Sequence, residues 1–228
     1  SIRYVDPGKT TTHTLEIRNL GAEDDAALLE LAGPTGNWAA GLGAASVLVP
    51  ARTSAFVFVD VSAPSGAMAG ETLELLVRCR SLHDPADATD IQVATIANRT
   101  RNLTAELSPA VLSTAPEEGA PFLLTVFNGG NADEAVYFSA GRLPANWTMV
   151  FNESLLLVGP RSSRAALCTV TPDYMAPAQD HLVSAIVLAD ALSAESCATV
   201  SVRKAFRFVM ECKENEKTVP PGEAVQYD

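Results

Sequence analysis

Three histidines, four cysteines and a few acidic runs carry most of the side chains in this chain that are capable of chemistry. His13, His83 and His181 fall in separate segments without the spacing of a metal-binding motif. A zinc site needs several convergent ligands, so the three read as ordinary polar positions. Glu23-Asp24-Asp25 and Asp133-Glu134 form two acidic runs, and "HDPADATD" carries Asp84, Asp87 and Asp90. Loop carboxylates of this kind can bind calcium, but neither run has the spacing of a calcium loop with its defined glycine. They read as solvated loops. No Gly-rich phosphate cradle, nucleophile elbow or paired-carboxylate motif is visible. The expectation is a protein that is not an enzyme, with no cofactor and no metal.

Cysteine and asparagine chemistry remain. Cys168 falls in an alternating apolar run, and Cys79 continues the series Leu73, Leu75, Val77. Both read as buried thiols acting as small hydrophobes. Cys197 alternates against Ala198, Val200 and Val202, which puts it off the core side. The four thiols read as free; a bridge between Cys197 and Cys212 is the exception their positions allow. Asn98-Arg-Thr, Asn102-Leu-Thr, Asn146-Trp-Thr and Asn152-Glu-Ser all satisfy the N-glycosylation pattern. N-linked glycans on these asparagines would make the chain extracellular.

The elements that position these residues come in copies. Trp38 and Trp147, the only tryptophans, stand 109 residues apart, each after a proline-containing turn. The same offset lays "TLEIRNLGAEDDA" on "LLTVFNGGNADEA", with Asn19 on Asn128 and Gly21 on Gly130. It sets Arg52 on Arg161, Val61 on Val170, Leu73 on Leu182 and Val77 on Ile186. "VPPGEAVQYD" near the end echoes "VDPGKTTTHT", the start of a third copy. Within each copy the runs alternate with period two, as in Leu15 and Ile17 against Glu16 and Arg18. Turn signals such as "DPG", "NLG", "GPTG" and "APSG" separate them. Even "GAEDDAALLELAG", rich in helix formers, has the strand-like counterpart "GNADEAVYFSAG". The fold class is all-β: two tandem immunoglobulin-like β-sandwiches plus the first strands of a third repeat. The repeats run 1–98 and 99–204, with 205–228 opening the third. Trp38 and Trp147 are the expected core anchors.

The pattern of Pro7-Gly8, Asn19-Leu20-Gly21, Pro34 to Trp38 and Pro50, then Pro116, Asn128-Gly129-Gly130, Pro144 to Trp147 and Pro160, resembles a known module. It is similar to the tandem Ig-like repeat of bacterial and archaeal cell-surface, S-layer-type proteins. The same module accompanies carbohydrate-binding domains in some alpha-galactosidases. The second copy departs from it in having Glu117-Glu118-Gly119 where the first has Pro-Gly. The resemblance implies a β-sandwich with no catalytic residues.

The net charge of -11 and pI near 4.7 argue against a basic face for nucleic acid or anionic membrane. No apolar run approaches the ~18 residues of a membrane span, so no direct membrane insertion is expected. The N-terminus lacks the pattern of a signal peptide and opens mid-pattern, as a piece of something longer would. The expected role is a structural or adhesive module of a large extracellular protein. Its partners would be proteins or further copies, joined by β-strand addition at the chain ends. An accessory module beside a glycosidase is the alternative.

Overall fold

The structure, a computed structural model, describes residues 1–206, 220–222 and 224. Seventeen strands and no helix are found among them. The first eight are β1 (Ile2–Val5), β2 (Thr10–Arg18), β3 (Asp25–Ala32), β4 (Ala39–Leu42), β5 (Ser46–Val49), β6 (Ser54–Ser62), β7 (Thr72–Ser81) and β8 (Ala88–Ala97). The other nine are β9 (Leu103–Ser108), β10 (Val111–Thr114), β11 (Ala120–Asn128), β12 (Glu134–Ala140), β13 (Thr148–Phe151), β14 (Leu155–Val158), β15 (Ser162–Thr171), β16 (Asp180–Ala189) and β17 (Leu192–Val202).

Strands β1–β8 form a five-stranded sheet, β1-β8-β7-β3-β5, facing a three-stranded one, β2-β6-β4. Strands β9–β17 repeat the plan with sheets β10-β17-β16-β12-β14 and β13-β15-β11-β9. The two parallel pairings, β1 on β8 and β10 on β17, occupy the same place in each sandwich. Alternation explains the packing. On β6, Val57, Val59 and Val61 point inward and Asp60 outward; on β15, Ala166, Cys168 and Val170 do the same. Each sandwich closes its own core, one around Trp38 and the other around Trp147.

The turns repeat with equal fidelity. Asn19 donates through Nδ2 to Glu23 O and Val49 O, and its Oδ1 accepts from Gly21 N. Asn128 makes the same three bonds with Ala132 O, Val158 O and Gly130 N. Arg52 and Arg161 both adopt left-handed backbone, at φ 59° and 52°. Glu117 takes the left-handed position that Gly8 holds in the first repeat, at φ 66° against 75°. That is how the second copy manages without Pro-Gly, at the strain cost a β-carbon carries there. Gly222 is left-handed too, in the Pro221-Gly222 turn.

One alignment needs correcting. The 109-residue offset holds through β6 and β15 but becomes 108 in β7 and β16. Leu28 pairs with Arg80, while Tyr137, its counterpart, pairs with Leu188. Val183, Ala185 and Val187 are therefore the inward residues, and Leu182 and Ile186 face the other way. The loop before β16 is one residue shorter than the loop before β7.

Candidate functional site

The side chains capable of chemistry are dispersed by the fold. His13, in β2, is wholly inaccessible. Its Nε2 lies 2.8 Å from Thr95 Oγ1 and its Nδ1 3.2 Å from Ser1 Oγ. Hydroxyls donate or accept as required, so both bonds suit a neutral imidazole. Burial, then the N-terminal ammonium and Arg3, push its pKa below the usual value. His83 reaches back to Asp25, with Nδ1 2.7 Å from Oδ1. The Ser81 hydroxyl and His83 together hold the Asp25 carboxyl down at about 2. His181 lies against the indole of Trp147, ring centroids 4.8 Å apart. Among the described residues, no three of His, Cys, Asp and Glu converge as a metal site would require.

Both tryptophans are anchors, about 6% and 7% exposed. Each ends a tight turn, Trp38 N donating to Thr35 O and Trp147 N to Pro144 O, immediately before β4 and β13. Trp38 Nε1 also donates to Glu71 Oε1 at 3.0 Å. That bond and the Met68 amide, the larger cause, hold the Glu71 carboxyl below its ordinary range.

Cys168 is buried and its thiol is pushed up to about 11 by burial. Cys197 is exposed on β17, and Cys79 is only half-buried although it points inward. The pairing of Cys197 with Cys212 lies outside the described residues. Of the sequons, Asn102 precedes β9, and Asn146 and Asn152 flank β13; all three are exposed. Asn98 is tied by Nδ2 to Asp6 Oδ1 at 2.7 Å.

Two features involve more residues than any of these, and sequence reasoning missed the first of them. The first is the junction between the sandwiches. Asn131 is about 1% exposed. Its Nδ2 donates to Ala67 O and Asn98 O at 3.1 and 2.9 Å, and its Oδ1 accepts from Thr100 N at 2.7 Å. Its own carbonyl accepts from Ala69 N. Arg161 donates to Ser65 O and Gly66 O at 2.6 and 3.2 Å. In the connecting segment, Arg99 and Arg101 converge on the buried carboxylate of Glu134, at 2.9 and 3.3 Å. A β-carbon on Gly130 would come within 2.6 Å of Thr100 O, so only glycine lets the backbones meet there. Nothing in "GGNADE" beyond its turn chemistry marks Asn131 for this role.

The second feature is a groove. In the second sandwich β9 pairs antiparallel with β11 and sends Leu107 into the core, its amide donating to Ser196 Oγ. Among the described residues the first sandwich has no counterpart of β9. In its place runs an open groove of about 930 Å³ between β2 and the β7–β8 pair. Its floor is core: Leu15, Leu29, Val57 and Val77. Ile91, the counterpart of Ser196, lies on its lip 47% exposed. The uncovered floor is why Cys79 is only half-buried. One end is acidic, lined by Glu23, Asp24, Asp25, Asp84 and Asp87. The edge itself is long. Strands β1, β4, β5, β10, β13 and β14, all sheet edges, have four residues each, whereas β2 has nine.

No protein family and no curated protein matches the chain. Several solved structures are similar to the chain at low scores. A protein of unknown function from Porphyromonas gingivalis W83 is 14% identical with a TM-score of 0.33, covering 88% of this chain and 93% of its own. The D0–D1 domain of intimin is 10% identical with a TM-score of 0.29, covering 89% and 94%. Extracellular cadherin domains 1–4 of protocadherin gamma B7 are 12% identical with a TM-score of 0.42, covering 88% and 48%. At these scores nothing about fold or function is taken from them.

Proposed function

We propose that this chain is a structural, adhesive segment of an extracellular or cell-surface protein, a rigid spacer built from Ig-like beads. The beads are 1–98 and 99–204, with 205–228 beginning a third. The observation that carries this reading is the junction. A flexible tether between independent domains would leave its polar groups to water, but here Asn131 of the second bead is buried and donates to two carbonyls of the first, Ala67 O and Asn98 O, while accepting from Thr100 N of its own bead. Relative motion is the default between domains joined by a small interface. Buried hydrogen bonds across this one oppose it. Such an array sets reach and spacing, and its faces meet partners.

N-linked glycans at Asn102, Asn146 and Asn152, and at Asn98 if its bond to Asp6 opens, belong to the same reading. Intact mass of the protein from its natural source tests the compartment, since unmodified mass removes the case for an extracellular glycoprotein. Small-angle scattering tests the spacer. A single extended bar is expected, unchanged between low and high salt, and a broad ensemble of inter-bead angles would overturn it. An accessory carbohydrate module needs an exposed aromatic platform, and the burial of both indoles gives that reading no support.

A further inference from the structure

We propose that the outward face of the sheet β13-β15-β11-β9 is a carbohydrate-binding surface, and that its occupants are the N-linked sugars of Asn102 and Asn152 on the same bead. This rests on the glycosylated, extracellular reading above and adds where the sugars lie.

The composition of the face is the first ground. Every second residue of a strand points away from the core. On β11, β13 and β15 none of these outward side chains is charged, and on β9 only Glu106 is. Leu123, Phe127, Val150 and Leu167 are among them, 42–62% exposed. The rest are serine, threonine, alanine and proline. The first bead serves as an internal comparison. Its equivalent face carries Glu16, Arg18 and Asp60 where the second has Thr125, Phe127 and Thr169. It also has Gly43 in the place of Asn152; the Gly43 amide donates to Phe58 O as that of Asn152 does to Leu167 O. The bead that holds the sequon is the one whose face has lost its charges. In a chain of net charge -11, that suits an uncharged partner.

The attachment points are the second ground, since both asparagines open onto this face, one from each edge. Asn152 follows β13 in the outward phase of Thr148 and Val150. Its amide donates to Leu167 O at 3.0 Å and its Oδ1 accepts from Leu167 N at 2.7 Å. The side-chain amide is thereby fixed, and Nδ2, the atom that carries sugar, makes no hydrogen bond among the described residues. Leu167 in turn stands opposite Leu123, so Asn152, Leu167 and Leu123 form one row across the sheet. At the other edge Asn102 shares the outward phase of Thr104, and its carbonyl accepts from Gly129 N. Phe127, opposite Thr104, is its diagonal neighbour, a separation that aromatic side chains reach. A β-carbon on Gly129 would stand 2.9 Å from Asn102 Nδ2, so glycine there clears the attachment atom. The first bead has Leu20 at that place.

A pyranose is complementary to such a surface. Its C–H faces are apolar and its rim is hydroxyl, so it covers Leu167, Leu123 and Phe127 while serine and threonine hydroxyls meet the rim. Glu106 apart, no charge has to be desolvated on either side. The outermost strands lie about 14 Å apart, three strand spacings, a width that the first few sugars from the two edges span together. A second copy of the face would meet the same absence of charge, but bulky sugars rooted at both edges hold it away.

The test is hydroxyl-radical footprinting of the glycoprotein from its natural source, before and after an amidase removes the N-linked sugars. Occupancy of Asn102 and Asn152 is read by site-resolved mass spectrometry. Removal should raise oxidation of Leu123, Phe127 and Leu167 several-fold, and leave Tyr137, exposed on the other sheet, unchanged as the internal control. Ser154→Ala deletes one sequon and keeps Asn152 with its bonds to Leu167. Made in a glycosylating host, this variant should expose Leu167 and Leu123 and spare Phe127. Equal oxidation with sugar present and removed, at occupied sites, overturns the inference and leaves the glycoprotein reading intact. Bare Asn102 and Asn152 overturn that reading and the inference together, a result seen by mass and not by footprint. Protection that follows protein concentration rather than sugar assigns the face to a second copy, and the place given to the sugars is then wrong.

Discussion

Replacing Asn131 by alanine removes three side-chain hydrogen bonds at once, two donated to carbonyls and one accepted from the Thr100 amide. A net contribution of about 1 kcal/mol each puts the loss at roughly 2–3 kcal/mol. The site is almost fully buried, so the groups left behind must find water or stay unpaired. Part of that loss falls on the connecting segment, through Thr100 N, and part on the contact between beads, through Ala67 O. Asn131→Asp separates the two. It keeps the acceptor for Thr100 N and turns the donor toward Ala67 O and Asn98 O into a repelling oxygen. Urea unfolding followed by tryptophan fluorescence gives a readout per bead, because Trp38 and Trp147 stand in different sandwiches; Trp38→Phe and Trp147→Phe backgrounds isolate each signal. Alanine should lower the midpoint reported by Trp147 and broaden the scattering ensemble. Aspartate should broaden the ensemble at least as much. An unchanged ensemble in both variants would show that Asn131 serves the loop alone and that the rigidity argument is wrong.

Truncating either indole, Trp38→Ala or Trp147→Ala, should cost roughly 3–5 kcal/mol, seen as a large drop in the urea midpoint of the affected bead; a cost below 1 kcal/mol would mean the anchors are dispensable. His13 is buried with a depressed pKa, so the unfolded chain binds the extra proton. Its contribution to stability is therefore whole above pH 6.5 and is lost as pH falls from there toward the folded value. His13→Gln should flatten that part of the pH–stability curve, and an unaltered slope between pH 7 and 5 would refute the assignment. In the natural source, glycan should be found at Asn152 before Asn98, since Asn152 anchors through Oδ1 on Leu167 N and leaves its Nδ2 free of that bond, whereas Asn98 Nδ2 is engaged by Asp6; site-resolved mass spectrometry showing the reverse order would contradict this.

How far the sequence shows the fold depends on whether a strand is apolar on one face or two. β2 and β6 alternate cleanly, so Leu15, Val57, Val59 and Val61 are legible as core. His13 shares the phase of Leu15 and Ile17, and that phase is the signal of its burial. In "HLVSAIVLA" both faces are apolar: Val183, Ala185 and Val187 point in while Leu182 and Leu188 lie partly exposed. Period two then sets no phase, and a one-residue change in the preceding loop passes unseen. The turns were legible because Asn19 and Asn128 carry their own hydrogen-bonding chemistry. The junction was not, since Asn131 is one more polar residue in a turn until another sandwich is set against it. The groove lies where no described strand answers to β9, and the short "SIRYV" ahead of Pro7-Gly8 is its signal in the sequence.

The two sandwiches treat their strand edges differently, and the sequons follow that difference. A free edge invites pairing with other chains, and shortness is one defence. Among the described residues, six of the eight sheet edges use it, at four residues each. The exceptions are β9, with six residues, and β2, with nine. Asn102 stands directly before β9, and Asn146 and Asn152 bracket β13 at the opposite edge of the same sheet. Sugars there, as proposed, would bar both edges of that sheet to a passing strand. The first repeat has no sequon before Asn98, so on this reading glycosylation protects sheet edges of the second sandwich and not those of the first.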